Sequence, residues 1–185
     1  MTRALIAVSL LGLFLARPAA ASAAPGVELQ PVPGSEGKWE QGSVVVPAPA
    51  ESVREWLTDF RAWPLRFPDI EKVAVLGHTA DGRTIVRFRS SIVGRPITVR
   101  VKITPNGLVY DGQGKNVTTQ GRVFIVPLGP ERTRVIMQST SSVSGFLSIF
   151  ATQRIKRERT REKLRSDLTA LLDLAAGPSR GRSSR

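Results

Sequence analysis

Two aromatic–proline steps, Trp63-Pro64 and Phe67-Pro68, stand four residues apart and lead at once into an alternating run from Ile70 to Leu76. The residue before a proline is pushed out of helical geometry, so a helix that reaches this stretch cannot run cleanly through it. Upstream, Val53, Trp56, Leu57 and Phe60 recur at helical spacing over 51–60, and Pro49 suits a first helical turn. The stretch therefore predicts a first helix ending by Trp63, a second short helical turn around 65–67 ending at Pro68, and then a strand. Two short helices in a V, wedged by their aromatics against a sheet, follow from these local sterics.

The rest of the chain supplies the sheet. Trp39 to Val46 reads as a first strand, closed by Pro47. Further strands are expected over 83–93, 97–104, 108–111, 118–128 and 133–143. The cleanest alternation is "ITVRVKIT": Ile97, Val99, Val101 and Ile103 fall on one face, Thr98, Arg100, Lys102 and Thr104 on the other. Asn106-Gly107 and Gly129-Pro130 mark turns, and the whole implies an antiparallel meander with one buried face. A long helix is expected over 146–176, stopped by Gly177-Pro178. Its second half carries the stripe Leu164, Leu168, Leu171 and Ala175. Traced backwards, the stripe passes through Thr160, Arg157 and Gln153 to Phe150. Over two turns it is polar, so that part overhangs into solvent or lines something polar.

The ends differ in kind from the middle. Met1-Thr2-Arg3, the apolar run Ala4 to Ala16 and the small residues up to Ala24 have the layout of a signal peptide, expected over 1–23. The run is shorter than the ~20 residues of a membrane span, although an uncleaved N-terminal membrane anchor is the alternative. Cleavage leaves about 160 residues, enough to bury roughly 70% of the chain's surface. Residues 24–38, rich in Pro and Gly, read as a flexible linker, and 177–185 as a disordered basic tail. The expected location is periplasmic or secreted. The formal charge of +12 favours anionic partners; export disfavours nucleic acid among them.

Little in the sequence points to reaction chemistry. His78, in "GHTADGR", is the only histidine and there is no cysteine, so a zinc site built on those ligands cannot be assembled and thiol catalysis is excluded. No cofactor or metal is expected. "GQGKN", 112–116, lacks the full spacing of a nucleotide-binding loop and has no helix after it; a hairpin turn is the simpler reading. Asn116-Val117-Thr118 matches a glycosylation sequon. The sharpest electrostatic feature depends on register. A hairpin loop at 93–96 would set Arg89 opposite Arg100 and Arg87 opposite Lys102. Two such pairs make either a solvated basic face or a dock for anionic surfaces.

The segment "VVVPAPAESVREWLTDFRAWPLRFPDIEKVAVL", 44–76, resembles the opening of the START-like, or SRPBCC, superfamily, which includes the polyketide cyclase/dehydrase and coenzyme Q-binding types. Its ending, "SGFLSIFATQRIKRERTREKLRSDLTALLDLA", is similar to that superfamily's last helix. The resemblance covers about 39–176. It implies an α+β helix-grip fold: a curved antiparallel sheet of about six to seven strands wrapped on a long C-terminal helix, with two short helices after strand one. It also implies an apolar cavity between sheet and helix, where family members bind lipids, quinones, sterols or polyketides.

On that footing the expected guest is a hydrophobic or amphipathic small molecule. The expected lining is Val86, Phe88, Val99, Val101, Val135 and Met137, with Trp56, Trp63 and Phe67 near the mouth, and Gln153 and Arg157 meeting a polar head. Arg87, Arg89, Arg100 and Lys102 would dock to an anionic membrane surface. The alternatives are a cyclase/dehydrase-type enzyme, for which Tyr110, Asp111 and Arg157 are the candidate acid–base groups, and a basic surface-binding module without a ligand.

Overall fold

The computed structural model describes residues 26–144 and 152–177. It is an α+β fold built on one eight-stranded antiparallel sheet. The strands are β1 (Glu28–Pro31), β2 (Glu40–Val46), β3 (Ile70–His78), β4 (Thr84–Ser90), β5 (Pro96–Thr104), β6 (Gly107–Gly114), β7 (Val117–Gly129) and β8 (Arg132–Val143). Their order across the sheet is β1-β2-β8-β7-β6-β5-β4-β3. Between β2 and β3 lie α1 (Ala50–Thr58), a single 3-10 turn (Phe60–Ala62) and α2 (Trp63–Arg66); α3 (Gln153–Ala176) follows β8.

The eighth strand is the one the sequence hides. Four residues of the expected linker, Glu28–Pro31, pair antiparallel with β2 at the sheet edge. Pro31 can sit there because an edge strand has a side that needs no ladder bond. Leu29 packs against the core. The signal peptide expected over 1–23, the first residues of the expected helix, 146–151, with Phe150 among them, and residues 178–185 of the tail expected over 177–185 lie outside the described residues.

The aromatic–proline stretch works differently from its sequence reading. α1 ends at Thr58, well before Trp63, and Trp63 itself is helical (φ −52°, ψ −42°). Pro64 lies in the first turn of α2, where its missing N–H leaves no bond unmade. The first aromatic–proline step thus opens a helix; only the second, at Phe67-Pro68, closes one. The V is held by Trp63. Its ring packs edge-on against Phe60 (5.2 Å between centroids), Phe67 (6.0 Å) and Phe88 of β4 (6.0 Å), and its Nε1–H donates to the Leu57 carbonyl at 3.2 Å. Edge-to-face pairs of this kind each contribute about 0.5–1.5 kcal/mol beyond area burial.

The β4–β5 hairpin has a longer loop than expected. Phe88 lies opposite Ile97, Arg87 opposite Thr98 and Val86 opposite Val99. This is four residues from the predicted register. The shift is even, so every side chain stays on its predicted face, but Arg89 does not meet Arg100, nor Arg87 Lys102. Gly114, Lys115, Asn116 and Val117 form the β6–β7 hairpin, with Asn116 at φ 63°. His78 is exposed at the end of β3, its Nδ1 3.3 Å from Thr84 Oγ1.

α3 lies across the inner face of the sheet and packs chiefly on β2 and β8. Thr152 caps it, its hydroxyl accepting from the Ile155 N–H at 3.4 Å. Leu164, Leu168 and Leu171 are buried, as the stripe predicts. The approach is close because β2 offers a glycine. A Cβ on Gly42 would stand 2.5 Å from Leu168 Cδ1. With Val44, Val46, Val53, Leu57 and Val135, these leucines form the solid part of the core.

Candidate functional site

Where the front half of α3 bridges the sheet, the core is hollow. A cavity of about 370 Å³ lies between that half-helix, the inner faces of β4 to β8, and the aromatic wedge. Its size is within the range of small-molecule pockets. Trp63 and Phe67 form one wall; Phe88, Val99, Val101 and Met137 form the sheet side. Glycine keeps the floor low. A Cβ on Gly121 would fall 2.3 Å from the Tyr110 ring, so only glycine there lets that ring lie flat on the sheet.

Six of the residues named from sequence therefore meet at the cavity, and five do not. Val86 and Val135 are fully buried in the packed core beside it. Trp56 packs against the core from α1 without reaching the space. Gln153 is exposed at the start of α3. Arg157 turns the other way: its Nε donates to Oε1 of Glu40 at 2.6 Å, and Arg161 Nε donates to Oε2 of the same carboxylate at 2.8 Å. Glu40 is 1% exposed. A buried carboxylate needs such partners, and the pair clasps the front half of α3 to β2.

Sequence reasoning missed Lys163 and Asp167 of α3, which face the cavity along with Lys156 and Arg159 of the same helix. Lys163 Nζ pairs with Oδ1 of Asp167 and lies 3.2 Å from Oδ2 of Asp69. Asp69, buried just after the aromatic wedge, also accepts from Ser90 Oγ at 2.7 Å and Ser166 Oγ at 3.1 Å. Burial pushes the Asp167 carboxyl above its ordinary value, and Asp69 adds to this against the opposing pull of Lys163. Burial disfavours the Lys163 ammonium, yet Asp167 and Asp69 outweigh it and hold its pKa above the ordinary lysine range. Both directions suit two carboxylates sharing one ammonium in a part-buried site. Across the cavity Tyr110 donates its hydroxyl to Ser139 Oγ at 3.1 Å; burial raises its pKa too. The missed pair had a signal. Lys163 and Asp167 sit three residues beyond Thr160 and Leu164, so a stripe drawn one residue wider includes them.

On the outer face Asp111 points away from the cavity and binds Arg83 Nη1 at 2.7 Å and Arg100 Nε at 2.8 Å. Arg89 pairs with Glu71 at 2.9 Å. Among the described residues Arg87 and Lys102 have no ion pair.

No family model matches the chain, and no curated protein matches it. Solved structures do. The chain is similar to a START superfamily protein from Mycobacterium smegmatis, at 23% identity and TM-score 0.64, over 75% of this chain and 97% of that one. It is similar to the ZhuI aromatase/cyclase from Streptomyces sp. R1128, at 22% identity and TM-score 0.63, over 80% and 94%. A protein from Thermus thermophilus follows at 19% identity and TM-score 0.63, over 75% and 98%. Sheet order, the paired short helices and the long terminal helix all agree with this likeness: the chain has the START-like, helix-grip fold.

Proposed function

We propose that this protein is an exported carrier of a hydrophobic or amphipathic small molecule, held between the sheet and the front half of α3. The observation that carries this reading is the cavity itself: mostly apolar walls, an aromatic wedge on one side, and polar groups of α3 facing Tyr110 and Ser139 across the space. Packing that merely stabilised the fold would fill such a space, because interiors are close-packed. Export rests on the leader at 1–23, and N-terminal sequencing of the mature chain tests it. Native mass spectrometry after gentle purification tests the carrier reading. A co-purified hydrophobe is expected; an empty chain that also takes up no neutral hydrophobic dye would overturn it.

A second reading, an enzyme of the cyclase/dehydrase kind, draws on the same space. Of its three sequence candidates only Tyr110 lines the cavity, and an acid–base role would pass to Lys163 and Asp167. Turnover of a poly-β-ketone model substrate, lost in Asp167→Asn, is the result that would favour it.

Docking to anionic surfaces is proposed through the outer face. With Arg100 and Arg89 paired, it rests on Arg87 and Lys102, at about 1 kcal/mol per charge. Sedimentation with phosphatidylglycerol vesicles at low salt checks it. Binding that survives high salt would sink the electrostatic mechanism.

A further inference from the structure

The α3 side of the cavity carries a donor and an acceptor side by side. An ammonium has three protons. One proton of Lys163 serves Asp167 Oδ1 and one is shared between the two Asp69 oxygens, at 3.2 and 3.5 Å, which leaves the third for the cavity that Lys163 lines. Asp167 receives Lys163 at Oδ1; its Oδ2 has no hydrogen-bond partner among the described residues. No fully buried side-chain oxygen or nitrogen there lacks a partner, so Oδ2 keeps an accessible face, and Asp167 lines the cavity. The pair is fixed from behind. Asp69 is buried and tied to Ser90 and Ser166, and it holds the lysine that points past it.

Such a pair discriminates among guests. A neutral hydroxyl both accepts and donates, so one oxygen can take the lysine proton and give its own to Asp167 Oδ2. A carboxylate guest can only accept. It would enter a site whose single ammonium already faces two carboxylates, after losing its water. A plain hydrocarbon would leave the donor and acceptor without their water and without replacement.

We propose that Lys163 and Asp167 form a hydroxyl-recognition site that selects hydrophobes bearing an alcohol or phenol over matching carboxylates and hydrocarbons. This inference rests on the carrier reading. Its competitor within the same cavity is the pair Lys156 and Arg159, which line the space further forward on α3 and would favour an anionic head.

The test is displacement of Nile red, a neutral dye, from the full chain by 4-octylphenol, 4-octylbenzoate and octylbenzene. Hydrogen bonds to charged groups lead us to expect the phenol to bind about tenfold or more tighter than either other probe. Asp167→Leu should weaken the phenol and bring it to within about threefold of octylbenzene, which should bind no more weakly than to the wild type because the variant removes the acceptor a hydrocarbon strands. The wild-type ranking stands even if that variant does not fold. Equal binding of the three probes overturns hydroxyl recognition and leaves the carrier intact. So does tighter binding of the benzoate, lost in Arg159→Gln. Failure of Nile red and all three probes to bind overturns the carrier reading, and this inference with it.

Discussion

The Nε of Arg157 donates to Glu40 Oε1 at 2.6 Å, across the whole length of the domain's chain from β2 to α3. An arginine that by spacing could have faced a guest instead anchors the helix. Glu40→Ala leaves two guanidinium groups without their carboxylate. Loss of a fully buried ion-pair partner costs about 3–5 kcal/mol. Here both arginines are partly in water, so a loss of about 2 kcal/mol is expected, read from urea unfolding. A change below about 0.5 kcal/mol would rule out the clasp.

Trp63 touches three aromatic rings and a backbone carbonyl. Trp63 is part-buried beside the cavity, so Trp63→Ala should destabilise the protein by about 2–3 kcal/mol, short of a full core truncation. Trp63→Phe keeps part of the stacking and should cost clearly less. Equal losses for the two variants would count against the wedge.

At Gly42 an added methyl would press on Leu168. Gly42→Ala should cost about 1–3 kcal/mol through overpacking. The effect should be coupled to Leu168: in the Leu168→Ala background the added methyl has room, and a double-mutant cycle should give an interaction above about 0.5 kcal/mol. Strict additivity would argue that α3 does not bear on β2 at that point.

The raised pKa values give stability a pH signature. The folded value of Asp167 lies above its ordinary 3.8, so the native state binds that proton more tightly. Its contribution to stability is greatest below 3.8 and falls as pH rises through the folded value. Asp167→Asn lacks this fall, so the wild type should lose ground to the variant as pH rises through that window. Lys163 acts at the other end. Its contribution is fully present below 10.5 and is lost as pH climbs through its higher folded value. Thermal melts of both proteins from acid to alkaline pH check this; parallel curves on the acid side would sink it.

Strands were legible wherever period-two alternation carried the burial, as from Ile97 to Val101, although Ile103, which continues the pattern, is exposed. Register was not. The loop between Ser90 and Pro96 has no sharp two-residue signal, and nothing local fixes how far the ladder extends before it opens. Glu28–Pro31 was hidden for another reason: a four-residue edge strand with one proline has little alternation to show. Pro64 was misread because the same residue can end one helix or begin the next, and only the earlier stop at Thr58 decides which. In the site, the apolar walls followed from face and period. Lys163 and Asp167 did not, since on a helix this rich in charge they look like one more solvated pair. Their role depends on Asp69, and that contact is tertiary.

Tyr110 rests flat on the bare backbone of Gly121. The spaciousness of the interior is thus governed from a position outside the cavity lining. One nucleotide change there, giving the next amino acid up in size, would tilt the phenol ring into the chamber and shrink it while strands and helices kept their places. A lineage can in this way resize the chamber without rebuilding its scaffold.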